Sequence, residues 1–301
     1  MTGGVELDVF VIGGVGVDTI VRVPGLPLDD VETIHVDPVE SYVGHTGHGV
    51  ALGCHLLGLQ AGLADVIGDD EEGYRIRRLY DDLRLPLHIA YHPNGTRRSV
   101  NLVAPDGQRL ALYDARHPAG LRVDPDLWRT NLGSTRHVHV SIMDFARHAL
   151  PDALDAGCSI STDLHDWDGR NDFHKDFATA ADIVFVSTSA LTLDAVDWIF
   201  ANGRAEIVVA MAGSAGSYLH RRHQAPQHLP AIQLADRPVV DTNGAGDAYV
   251  AAFLARWLDG VNWHDAAVAG TIAGAWACGS RGTHTDLITA EELAARSRTL
   301  G

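Results

Sequence analysis

The chain has 301 residues, 46% of them hydrophobic, which is enough for one large core and too many for a disordered chain. Its formal net charge of −16 argues against nucleic acid or an anionic membrane surface as partners, since phosphates would be repelled, although a local site can oppose that field and take an anion such as ATP. No run of 18 apolar residues is present to span a bilayer, the start from Met1 to Glu6 has no signal-peptide character, and three scattered cysteines (Cys54, Cys158, Cys278) read as free thiols of a reducing cytoplasm.

The first predicted strand is the apolar run Leu7-Asp8-Val9-Phe10-Val11-Ile12, closed by Gly13-Gly14. Residues 20–43 then carry period-two pieces at 20–23 and 32–36, with prolines between them. A glycine-rich turn at 44–49 follows, and Cys54 falls on a helix behind it, where a buried thiol is inert. A strand is expected at 64–67 and a helix at 71–83, with Asp69 or Asp70 as its N-cap. Residues 88–114 read as strand, turn (Pro93-Asn94-Gly95), strand, turn (Pro105-Asp106-Gly107), strand. Within them, Arg97-Arg98 reads as a solvated edge or as a pair able to steer a triphosphate. Short β-branched runs at 138–140, 159–161, 183–186 and 207–210 suit strands buried on both faces. His137 and His139 share one face of the first of these and read as a polar strand end, and Trp167 as plain core or a flat wall for a sugar ring. Helices are predicted at 191–200, 248–258 and 266–278, and Thr289-Ala290-Glu291-Glu292 is a capping box that opens a last one. Strands alternating with helices mean a parallel sheet covered on both faces, an α/β fold of three layers. Residues 20–43 and 88–114 are expected to form a small antiparallel lid over the carboxyl ends of the parallel strands, all within one domain, 1–301.

The most informative stretch is Asp241-Thr242-Asn243-Gly244-Ala245-Gly246-Asp247, directly before an apolar helix. Small residues leave the backbone uncovered where the first N–H groups of a helix lack internal partners, and with the helix dipole they form a site for an anion. Asp247, in the first turn, is held ionised by the same field. Donors for developing negative charge beside a carboxylate that can take a proton are what phosphoryl transfer to an alcohol needs. Of 23 Lys and Arg residues only Lys175 is lysine, so phosphate contacts must come from arginine or from backbone N–H groups. A glycine-rich turn with an acidic cap is the plainer alternative.

This stretch resembles the C-terminal signature of the PfkB, or ribokinase-like, carbohydrate kinases, roughly D-T-x-G-A-G-D. Other pieces follow in that family's order: "VIGGVGVDTIVRVPGLP", "VGHTGHGVALGCHLLG", "VIGDDEEG" and "MAGSAGS". The resemblance implies a ribokinase-like, Rossmann-like core with a β lid, and Mg-ATP (ATP with Mg2+) as donor. It implies Asp247 as base, with Gly244, Ala245 and Gly246 as the anion hole. It places Asp18, Gly44, His45, Thr46, Gly47, His48, Asp163 and His165 with Asp247 around a carbohydrate, and Gly213, Ser214 and Gly216 with Gly244 and Gly246 on ATP. The lid's exposed face is then a candidate homodimer contact.

Three positions depart from the pattern. The family's Asn-x-x-Glu is replaced by Ser187-Thr188-Ser189-Ala190, which leaves the holding of the metal open. The substrate motif usually ends Gly-Ala-Asn and here reads Gly47-His48-Gly49, so space is expected where the Asn would contact a small sugar. His165 stands where Asn is common, and alternation along a strand would point it with Asp163. Together with "STDLHDWDG" and "VSTSALT", these features resemble an actinobacterial branch that includes acarbose 7-kinase, implying a pseudo-oligosaccharide acceptor. A ribokinase- or nucleoside-kinase-type activity on a smaller substrate is the alternative within the class. A non-catalytic sugar or nucleotide sensor is the alternative outside it. A dinucleotide fingerprint fails because its third glycine falls on Thr19, and a zinc site at His45-x-x-His48 lacks further ligands at suitable spacing.

Overall fold

The computed structural model describes residues 6–105 and 107–300; residues 1–5 and Asp106, at the centre of an expected turn, lie outside it. Its strands in chain order are β1 (Leu7–Ile12), β2 (Gly16–Arg22), β3 (Glu40–Gly44), β4 (Ala61–Ile67), β5 (Leu87–Tyr91), β6 (Arg98–Val103), β7 (Arg109–Asp114), β8 (Thr135–Val140), β9 (Ser159–Asp163), β10 (Ile183–Ser187), β11 (Ile207–Met211), β12 (Ser217–Arg221) and β13 (Gln227–Leu229). Its helices are α1 (Thr46–Leu56), α2 (Glu71–Leu83), α3 (Asp126–Leu132), α4 (Leu150–Asp155), α5 (Lys175–Ala180), α6 (Leu193–Asn202), α7 (Ala245–Leu258), α8 (Trp263–Ala277) and α9 (Ala290–Leu300).

Nine strands form one sheet in the order β13-β12-β11-β10-β9-β8-β1-β4-β5. It is parallel from β11 to β5, and β12 and β13 add an antiparallel edge. Successive strand residues face opposite layers. Phe10 and Ile12 pack with Trp128, Phe145 and Phe177 on the side of α3 to α6. Val9 and Val11 pack with Cys54, Ile76 and Phe253 on the side of α1, α2, α7 and α8. The core is therefore two apolar layers on either face of one sheet, the expected three-layer α/β arrangement. Strand order reverses between β1 and β8, and in open α/β sheets the cleft at such a reversal, beyond the carboxyl ends, is where ligands bind.

The second sheet has the order β3-β2-β6-β7 and rests on a small apolar cluster of Val23, Leu102 and Ala104. Its outer pairs are antiparallel, whereas its central pair, β2 with β6, is parallel because the chain passes through the large sheet between them. The lid starts at Gly16 rather than residue 20. The period-two piece 32–36 is irregular, and β3 forms later, at residues 40–44. Residues 88–91, expected in the lid, instead belong to β5 and pair parallel with β4 as the edge of the large sheet, because Leu87 and Ile89 reach apolar partners there.

Several expectations need correcting. His137 and His139 are not a polar strand end: both are fully buried and hydrogen-bond to Ser159 and Ser161 at 2.7 to 2.9 Å. Burial, and for each one nearby histidine, depress both imidazoles to about 3. Arg97 is neither solvated nor free for a phosphate; it is 3% exposed and paired with the fully buried Asp65, which also accepts the Val15 N–H at 2.6 Å. Trp167 is plain core, edge-on to Trp198 and donating to the Asn171 carbonyl at 2.9 Å. Asp70 is the N-cap of α2, accepting from Gly73 at 2.8 Å. Cys54 is buried as expected, and burial raises its thiol to about 12.

Candidate active site

Helix α7 opens on Gly244, whose φ of 76° is left-handed, a conformation that favours glycine. The segment before it is built on Asp241. Its Oδ1 accepts from the backbone N–H and the side-chain amide of Asn243 at 3.0 and 2.8 Å, and its Oδ2 from Arg22 at 2.7 Å. The backbone is thereby fixed where the N–H groups of Ala245 and Gly246 begin the helix. A Cβ on Gly246 would meet only Met211 Cε, at 3.7 Å, so glycine here keeps the approach to the amides open.

Asp247 lies in the first turn of α7 and is 8% exposed. Its Oδ2 is 2.7 Å from Nε2 of His284, which must donate because a carboxylate only accepts. Close by, at the carboxyl end of β9, sits Asp163, whose acid is raised chiefly by burial and further by Asp247, against the opposing pull of His165.

The lid supplies Asp18 from β2. Burial pushes its acid up, but bonds and charge from His45 and a 2.5 Å bond from Ser99 Oγ more than offset this, and it falls to about 2. His45 is positioned by a φ of 71° and approaches Asp18 with both its backbone N–H and Nε2, each at 3.2 Å. Thr46 and Gly47 begin α1 directly afterwards, beside Gly44 at the end of β3.

Two of the expected acceptor contacts are placed otherwise. His48 is 1% exposed and hydrogen-bonds Tyr80 at 3.0 Å, so it faces α2; burial and then His284 hold its acid well below 6.5. His45 and His48 thus turn to different partners, against a shared metal. His165 does not continue the alternation of β9: the strand ends at Asp163, and His165, at φ 53°, donates its N–H to Asp163 Oδ1 at 2.8 Å.

The space expected beside Gly49 is filled. A Cβ there would lie 2.2 Å from His284 Nε2 and 2.7 Å from Asp247 Cβ, and one on Gly244 would lie 2.7 Å from His284 Cδ2. His284 is the side chain beside Asp247 that the sequence reading missed. Its one trace in the sequence is the small residue at position 49, where a polar side chain was expected.

Beyond β11, Gly213, Ser214 and Gly216 form an exposed turn at the same end of the sheet. Ser187 and Ala190 stand where the metal-organising pair was expected, and the Ser187 hydroxyl instead bonds Ser189 Oγ at 3.1 Å. Among the described residues no group of three or more His, Cys, Asp or Glu side chains could hold a metal ion. A divalent ion would therefore depend mainly on nucleotide phosphates and water, which is how Mg2+ is often bound. No helix of the described residues is long and apolar enough to cross a membrane.

Residues 175–290 match the model of the pfkB family carbohydrate kinases. The acarbose 7(IV)-phosphotransferase of an Actinoplanes species is 41% identical over 274 residues, covering 90% of this chain and 92% of that protein. A solved microbiome-derived acarbose kinase is 54% identical, with a TM-score of 0.91 over 97% of this chain and 99% of that one. A ribokinase from Giardia lamblia, at 16% identity and a TM-score of 0.86 over 99% of this chain and all of that one, shares the fold.

Proposed function

Because the chain belongs to the pfkB family of carbohydrate kinases, and is an ATP-dependent phosphotransferase with a hydroxyl acceptor, we propose that its acceptor is acarbose or a closely similar pseudo-oligosaccharide. What supports that acceptor is the likeness, over nine-tenths of the chain, to a protein named for phosphorylating acarbose. Pocket volume does not add to it, since His284 fills the space beside Gly49.

In this reading the acceptor lies between the two sheets, oriented by Asp18 and the 44–47 turn. ATP lies along residues 213–216 with its γ-phosphate toward Gly244, Ala245 and Gly246. The acceptor oxygen attacks the γ-phosphorus, its proton passes to the free Oδ1 of Asp247, and the bond to the bridging oxygen breaks to release ADP. The N–H groups at the opening of α7 take up the negative charge that develops on the transferring group. Mg2+, when bound with the nucleotide, would neutralise phosphate charge. Lid closure keeps water from competing as acceptor. The exposed β7 side chains Leu110 and Leu112, which share one face of that strand, support a homodimer through the lid, which sedimentation of the purified protein tests.

A panel of acarbose, ribose and nucleosides incubated with ATP, with products weighed by mass spectrometry, tests the acceptor. Addition of one phosphoryl group to acarbose in preference to the others is expected. Preference for ribose or a nucleoside would replace the proposed acceptor, and binding without ADP release would point to a sensor.

A further inference from the structure

The reading of Asp247 as the base leaves His284 without a role, and the surroundings of this imidazole are too specific for a filler. Its side chain is 1% exposed and bonds the one carboxylate that the chemistry needs. It sits at a left-handed φ of 57° on an irregular segment, and both Gly49 on α1 and Gly244 before α7 would collide with it if they carried a Cβ. Three separate parts of the chain are shaped around one ring.

Resting on that reading, we propose that His284 is the positioning residue of Asp247: its Nε2–H fixes Oδ2 and so turns Oδ1 toward the acceptor hydroxyl. A carboxylate at a helix start can rotate about its terminal torsion, which is broad and roughly two-fold. A donor fixed at 2.7 Å on one oxygen removes that freedom and leaves the other oxygen for the incoming proton. His48 meets the His284 ring edge-on, with centroids 5.5 Å apart, and supports its plane. His284 touches neither substrate in this scheme; it acts through Asp247.

A groove of about 590 Å³, lined by Tyr42, His48, Leu52, Arg75, Thr283 and His284 among others, adjoins this buried ring, so the space left by its removal can be entered from there. That allows a test specific to the imidazole. In His284→Ala, kcat with acarbose as probe should fall by about 10- to 100-fold, while KM for ATP and acceptor change by less than about 3-fold. Added imidazole should restore part of kcat. His284→Phe keeps a ring of similar size without the donor; it should lose kcat as well and gain nothing from imidazole. An unchanged kcat in either folded variant, or a loss that lies in KM and ignores imidazole, would overturn the proposal. Asp247→Asn run alongside separates the two failures. If it is inactive while His284→Ala turns over normally, only the role of His284 falls; if it is active, Asp247 is not the base.

Discussion

At the scale of single residues, the site divides into side chains whose chemistry can be read from their neighbours in sequence and one that cannot. Asp247 follows three small residues and opens a helix, so the role proposed for it rests on a local pattern. Asp247→Asn keeps shape and removes the proton acceptor; kcat is expected to fall by about 10² to 10⁴ with little change in ATP binding, checked by steady-state kinetics and nucleotide titration. Asp18 is held down at about 2, so it stays ionised at any working pH, and the contact with the acceptor proposed for it should not titrate between pH 5 and 8. A lowered acid in the fold contributes stability above its unfolded value of 3.8, and that contribution is lost as pH falls toward about 2. Asp18→Ala should raise KM for the acceptor with kcat much less affected; equal KM values in the two proteins would remove Asp18 from the acceptor. His284, 37 residues beyond Asp247 in an irregular stretch, has no period or motif to mark it, and only folding brings the two together.

At the scale of elements, β2 carries both Asp18 and Arg22, which lie on one face because strand side chains alternate. Arg22 reaches across to Asp241, and from β7 Arg109 donates to Asn243 Oδ1 at 2.8 Å. Two lid strands are thus fastened to the segment that shapes the anion site. Arg22→Ala leaves the Asp241 side chain, with no exposed surface, without its cation. We expect KM for ATP and for acceptor to rise together and kcat/KM to drop by about 10- to 100-fold, with Arg22→Lys retaining part of the activity. A change confined to one substrate would mean that lid and anion site are not joined through this pair. The long apolar strands and helices of this layer were legible, since each shows a period over enough residues. Helices α4 and α5, six residues each, are too short to show one, and the β12 and β13 edge is polar enough to pass for loop. Arg97 misled because a charged residue in a turn-rich stretch looks solvated, while its partner Asp65 lies on a different strand.

At the scale of the whole molecule, the three-layer order followed from the alternation of elements, whereas the polar bonds that cross the sheet did not. His137 and His139 are held neutral between β8 and β9, with acids near 3 against 6.5 in a free chain. The unfolded chain therefore binds more protons below pH 6.5, and folding stability should decline progressively as pH drops from 6.5 toward 3. Denaturant titrations at pH 7 and pH 5 should show this decline, and a folded His137→Asn variant should show a shallower one; parallel curves for the two proteins would exclude His137 as a source. Gly49 and His284 carry a further consequence for any relative built on the same plan. Between α1 and α7 the His284 ring occupies the place that a side chain at position 49 would take. On this backbone an enlarged position 49 would meet His284, so a relative with a larger residue at 49 is expected to carry a smaller one at 284, which an alignment of such relatives checks.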